Sequence, residues 1–210
     1  MVQTIAQQFN AGGPFMWALL AVLGIAVAVM LERILYFFIF CRGNGAAVAS
    51  RLIGAIRAGD LEKAEGILGK RSTPLFVLLR TAMKRYRSGM GVEKVREGIE
   101  EAAIVELPKT GQRLNYLSLF ANIATLLGLL GTIAGLQTSF SSLASVDAAQ
   151  KATMLATGIS QAMNTTAFGL IVAIPCMVMY TILNNKQQSL LKDIDDAVVR
   201  VVNTLKDTAA

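Results

Sequence analysis

At 210 residues, with 54% hydrophobic and 16% charged side chains and a mean hydropathy of +0.53, the chain is too apolar for a soluble domain of its size. The net charge of +6 does not point to nucleic acid, since 15 of the 20 basic residues fall between Arg33 and Arg113 and no nucleic-acid-binding motif accompanies them. There is no His, and Cys41 and Cys176 lie too far apart for a metal-spacing motif, so neither a metal site nor a cofactor is expected.

In chain order, residues 1–13 read as a short tail on the outer, periplasmic side. Gly12-Gly13-Pro14 breaks the chain before an apolar run, Phe15 to Leu31, and Pro14 suits a first helical turn, where its missing N–H is harmless. Trp17 and Tyr36 sit near the two ends of this run, as interfacial aromatics do. A signal peptide would carry its positive charges before the apolar core, whereas Arg33 and Arg42 follow it. Residues 14–36 are therefore expected to be a retained first span, with its N-terminus outside.

Residues 37–113 read as a helical, charged, cytoplasmic insert, because an excess of Lys and Arg beside membrane spans marks the inner face. Asp60 is placed to cap one helix, with Glu62 and Glu65 in its first turn. Thr73 and Pro74 open another, along which Leu75, Leu78, Leu79, Ala82, Met83 and Tyr86 recur at helical spacing. A third runs from Val92 and is expected to end or kink at Pro108.

Two stretches then carry no charged side chain: 33 residues between Arg113 and Asp147, and 34 between Lys151 and Lys186. Each exceeds the ~20 apolar residues that cross hydrocarbon. Thirty-three residues of helix measure roughly 50 Å, so part of each helix is expected to project beyond the bilayer. Spans are expected at 114–144 and 152–185, joined by a periplasmic loop at 145–151 and followed by a cytoplasmic helix at 186–210. In that last helix Leu191, Ile194, Val198, Val201 and Leu205 form a heptad-like seam, which suits an oligomer or packing onto the chain's own insert equally well. The expected fold class is an all-α integral membrane protein with three transmembrane helices, two of them long and extending into a helical cytoplasmic domain.

The two long spans are dotted with Gly, Thr, Ser, Asn and Gln, which in lipid need internal partners. Ala121, Thr125, Gly128, Thr132, Gly135 and Ser139 share one helix face by their alternating four- and three-residue spacing. Gly158, Ala162, Thr166, Gly169 and Ala173 make a similar face on the last span. Such stripes more often mean close helix packing than a pathway. The cluster Ser160, Gln161, Asn164, Thr165 and Thr166 holds more polar groups than packing requires and would suit a cavity filled by water or a partner. No Asp, Glu, Lys or Arg lies within either uncharged stretch, so a proton-relay role needs a carboxylate from another protein.

The segments Leu127-Gly-Leu-Leu-Gly-Thr132 and Gly158-Ile-Ser-Gln-Ala-Met-Asn-Thr-Thr-Ala-Phe-Gly-Leu-Ile-Val-Ala-Ile-Pro175 resemble the two signature spans of the MotA/TolQ/ExbB family. Gly12-Gly-Pro-Phe-Met-Trp17 and Glu32-Arg33 resemble the opening of its ExbB-type members, so the likeness covers nearly the whole chain. The resemblance implies a non-enzymatic proton-channel and stator subunit of the bacterial inner membrane. It further implies a homo-oligomer, a pentamer, around an ExbD/TolR-like dimer of single-span chains whose intramembrane Asp takes up and releases protons. Thr132 and Thr166 match the family's pore-facing threonines, with Thr125, Ser160, Gln161, Asn164 and Thr165 completing the pore-lining set. Gly128, Gly131, Gly135, Gly158, Gly169 and Pro175 are assigned to helix packing. Two positions depart from the ExbB pattern: Thr125 stands where Pro is usual, and Gln161 where Glu is usual. The rival readings are a membrane scaffold whose Gly/Thr faces only pack, and a transporter or intramembrane enzyme subunit, the latter weakened by the missing in-membrane acid and His.

Overall fold

The computed structural model describes residues 12–41, 45–69, 71–143 and 147–209, so most of the expected N-terminal tail, Arg42, and residues 145 and 146 of the expected loop lie outside the described residues. Among the described residues seven α-helices follow in order: α1 Phe15–Leu35, α2 Gly45–Arg57, α3 Leu61–Leu68, α4 Pro74–Arg87, α5 Val92–Gly111, α6 Leu114–Ser142 and α7 Ala148–Ala209. A wide π-type turn, Tyr36–Phe40, extends α1, and no strand occurs among the described residues. Three helices are long and apolar enough to cross a membrane, and the protein is an all-α membrane protein.

The chain divides into two compact units. The first comprises the described residues of Met1–Arg33 and Arg113–Ile182, and thus holds α1, α6 and the first part of α7. Its apolar core is formed by Met16, Leu19 and Ala26 of α1, Ala121 and Ala124 of α6, and Val172, Ala173 and Cys176 of α7.

The second unit, the described residues of Ile34–Gln112 and Leu183–Ala210, holds α2 to α5 and the last part of α7. Asp60 caps α3 as its position predicts, its carboxylate accepting from Lys63 N at 2.9 Å. Gly59, at φ +72°, ends α2: its N–H donates to Ile56 O and that of Asp60 to Ala55 O, satisfying carbonyls the helix leaves open. Gly89 repeats the device after α4, with Gly89 N–H on Tyr86 O and Met90 N–H on Arg85 O. Thr73 occupies the cap position of α4 with extended backbone and Pro74 as first helical residue, but its side chain makes no capping bond. Leu52, Ile56, Leu68, Leu78, Leu79 and Met83 are fully buried in one core with Ile194, Val201 and Leu205 of α7. The heptad-like seam thus packs onto its own chain.

One boundary differs from the one the sequence suggests. α5 continues through Pro108 to Gly111: the proline forgoes the bond its N–H would make to the Ile104 carbonyl without ending the helix, and Thr110 Oγ1 ties the last turn back to Leu107 O at 2.7 Å. The turn comes instead at Gln112–Arg113, where Arg113 takes the left-handed φ of 66°. α7 runs past Lys186 unbroken for 62 residues, about 93 Å at the usual rise, since the arrival of charge changes a helix's solvent and not its backbone.

Candidate functional site

α6 and α7 lie antiparallel with almost no side chain between them. Ser139 stands opposite Gly158, Gly135 opposite Ala162, Gly131 opposite Thr165 and Gly128 opposite Gly169. A Cβ placed on Gly169 would come within 2.7 Å of Ala124 O and 3.1 Å of the Gly128 Cα, and one on Gly158 would fall on the Ser139 hydroxyl. A side chain at Gly169 would meet backbone that cannot withdraw, and one at Gly158 the buried Ser139 side chain. Without hydrophobic gain in lipid, helices associate through such close contact and through interhelical hydrogen bonds. The five glycines expected at helix contacts lie between two helices of one chain, while Pro175 lies on an exposed part of α7.

The hydroxyls and amides sit around this seam. Thr166, half-buried, donates across it to Gly128 O at 3.2 Å. Thr165 is fully buried; its Oγ1 lies 2.9 Å from Gln161 O and 3.0 Å from Gly12 O. Thr132 is half-buried and donates to Leu129 O at 2.6 Å, and the exposed Thr125 donates to Ala121 O at 3.0 Å. Both bonds stay on their own helix and leave the hydroxyl oxygen able to accept. Gln161 and Asn164 are half-buried and Ser160 is exposed. The structure therefore brings Thr165, Thr166 and Gln161 onto the α6 seam and the turn before α1, and leaves Thr125 and Ser160 on outward faces.

Two elements of this unit were not singled out as functional from the sequence. One is the Gly12-Gly13 turn, whose seat on Gln161 and Thr165 joins positions some 150 residues apart in the chain. The other is the ion pair of Glu32, at the end of α1, with Arg113, whose Nη1 donates to both carboxylate oxygens at 2.7 and 2.8 Å. Opposite charges at the ends of two spans were its only sequence signal.

Chemically the seam offers donors and acceptors but no titratable group. Asp147 and Lys151, the only charged residues between Arg113 and Lys186, lie at the start of α7, away from the seam in sequence. Such an array can bind or guide a charge and water but cannot itself hold a proton.

Residues 70–196 match the sequence profile of the MotA/TolQ/ExbB proton channel family, a match that takes in both glycine-bearing spans. The chain belongs to that family. Its likeness to individual MotA/TolQ/ExbB members is modest in identity but long. The Tol-Pal system protein TolQ of Pseudomonas aeruginosa is 27% identical over 199 residues, covering 84% of this chain and 86% of TolQ. A putative biopolymer transport protein ExbB homolog of Methanothermobacter thermautotrophicus is 28% identical over 200 residues, 94% of this chain and 67% of that protein. The biopolymer transport protein ExbB of Aquifex aeolicus reaches 33% over 128 residues, 61% of this chain and 84% of its own length. The protein is an ExbB/TolQ-like member of a proton channel family.

Proposed function

We propose that this protein is the ring-forming subunit of a proton-driven stator in the bacterial inner membrane, working as a pentamer around an ExbD/TolR-like dimer of single-span chains. Proton flow through the pore drives rotation or rearrangement of the ring and passes force to the cell envelope, in biopolymer transport, envelope maintenance or gliding-type motility. The observation that carries this reading is the pairing of a hydroxyl- and amide-rich seam with the absence of any acid inside the two long spans. Thr132 and Thr166 are then the hydroxyls that meet the partner's Asp, with Asn164, Gln161, Ser160 and Thr125 lining the approach and the fully buried Thr165 standing behind them. Burial raises a carboxylate's pKa and a hydrogen bond to its charged form lowers it, so these hydroxyls tune the partner Asp between the two. The basic excess over Arg33 to Arg113 supports a cytoplasmic second unit, a periplasmic N-terminus and a cytoplasmic C-terminus.

A scaffold reading draws support from the glycine seam, because packing alone accounts for those residues. It does not account for the polar cluster on α7. The two part in one experiment. Reconstituted alone in liposomes, the protein should pass no specific proton current. Adding a single-span partner with an intramembrane Asp should create one, and changing that Asp to Asn should abolish it. A current from this chain alone, or none with the partner, overturns the proposal.

A further inference from the structure

The turn ahead of α1 is seated on α7 with a closeness that only glycine permits. Gly13 has φ +76°, and a Cβ on it would collide with the Gln161 amide nitrogen. A Cβ on Gly12 would strike the Met16 side chain. The carbonyl of Gly12 lies just before those taken up by the first turn of α1, where Met16 N donates to Gly13 O and Trp17 N to Pro14 O, both at 3.2 Å. Pro14 brings no N–H of its own. Thr165, fully buried, reaches that carbonyl from 153 residues away at 3.0 Å, its single hydroxyl proton shared with Gln161 O of its own helix at 2.9 Å.

Its other branch is held as firmly. The Thr165 methyl fills the notch over Gly131, where a Cβ on Gly131 would collide with it. One side chain of α7 thus touches α6 through its methyl and the turn before α1 through its hydroxyl. The next residue, Thr166, donates to Gly128 O across the seam. A helix turns by about 100° per residue, so any rotation of α7 that releases Thr165 also swings Thr166 away from that carbonyl.

We infer that Thr165 is a positioning residue: its hydroxyl locks α7 to the Gly12-Gly13-Pro14 turn and so sets the direction in which Thr166 presents its hydroxyl. For the consequence at Thr166, the inference rests on the stator reading; the lock itself does not.

The chain carries its own reporters for the lock. Trp17, the sole tryptophan, is 65% exposed and lies one turn beyond the Gly-Gly pair. Cys176 is buried and stands eleven residues from Thr165, on the same helix face, so rotation of α7 uncovers it. The test uses full-length protein with Cys41→Ser in lipid nanodiscs, comparing Thr165→Val, which keeps the shape and the methyl, with Thr165→Ser, which keeps the hydroxyl. Thr165→Val should change the depth profile of Trp17 quenching by brominated lipids. It should also speed N-ethylmaleimide labelling of Cys176 by at least about fivefold, the weight of one buried hydrogen bond. Thr165→Ser should return both to the parent values. If Val and Ser behave alike, or if Val leaves both reporters unchanged, the lock is refuted. With the partner present, proton current should fall in Thr165→Val and recover in Thr165→Ser. If the parent complex carries no current, the stator reading fails while the Trp17 and Cys176 comparisons still decide the lock. An unchanged current in Thr165→Val beside altered reporters refutes the link to Thr166.

Discussion

The two units are both all-helical, yet they are held together in different ways. The second buries large side chains, with Leu52, Ile56, Leu78, Leu79 and Met83 fully enclosed in one core. The first buries small ones at its α6–α7 seam, where Gly128, Gly131, Gly135, Gly158, Ala162 and Gly169 bring backbone against backbone. Water explains the contrast. Where helices fold in water, removing apolar area from it stabilises by about 25 cal/mol per Å². Between helices in lipid that gain is absent, and dispersion over close contact with a few hydroxyl bonds must serve instead. Leu126, Leu129 and Ile133 of α6 accordingly stay more than half exposed, as suits side chains solvated by lipid or covered by another subunit.

The sharpest way to break this contrast is to add volume to the seam. Gly169→Leu must displace Ala124 O and the Gly128 backbone, neither of which can yield without parting the helices. We expect it to exceed the about 2–5 kcal/mol of an ordinary large core truncation and to abolish a folded, monodisperse complex in detergent. Gly24→Ala in α1 is the control, because nothing lies within 4 Å of the added Cβ. Removing glycine's backbone freedom from a helix interior should there stabilise by about 0.5–1 kcal/mol. A Gly169→Leu protein with normal size and melting temperature would mean that the seam is not the contact holding the first unit together.

Next in size comes removal of volume. Leu79→Ala, in the centre of the second unit, should cost about 2–5 kcal/mol and lower the melting temperature. Leu126→Ala on α6, where the residue is 64% exposed, should stay within about 0.5 kcal/mol when the protein is alone in lipid. A loss at Leu126 comparable with that at Leu79 would show that another chain covers this face, and would place a subunit contact there.

The same physics decides what could be read in advance. The existence of three long apolar helices, the Asp60 cap and the start of α4 at Pro74 follow from local signals such as apolar run length, cap chemistry and proline position. That a long last helix extends beyond the bilayer was legible too, since Lys186 marks a change of solvent and nothing between Pro175 and Ala209 breaks a helix. The extension of α5 past Pro108 was hidden because a proline ends some helices and only kinks others, and no local signal chooses between the two. At the candidate site the polar cluster was legible as composition, but its partners were not. Helical periodicity places Thr165 and Thr166 on neighbouring faces, yet cannot say that one meets Gly12 and the other Gly128. Thr110 teaches the same lesson: nothing in the sequence marks it, yet it is fully buried and its hydroxyl lies 3.4 Å from the Gln187 amide of α7. The exposed Thr138, bonded only to Ala134 O of its own helix, is the better control for threonine substitutions.

The smallest expected effect separates the units by salt. The second unit carries ion pairs on its surface: Arg85 joins α4 to Glu101 of α5, and Arg87 reaches Glu65 of α3 at 2.8 Å. Glu101 is largely exposed, so its pair is screened by solvent and by added ions. Arg85 keeps a second anchor in Lys94 O at 2.8 Å, which holds the side chain over Gly98 when the carboxylate is lost. Glu101→Gln should therefore cost no more than about 0.2–1 kcal/mol at low ionic strength, and the difference should vanish near 1 M salt. The α6–α7 seam has no charge to screen, so salt should leave the effect of a seam substitution such as Gly169→Ala unchanged. Melting curves of the two variants and the parent across a salt series measure this. If the Glu101→Gln deficit persists at 1 M salt, the pair acts through packing of the Arg85 stem and not through charge, and the α4–α5 contact then obeys the same rule of fit as the seam.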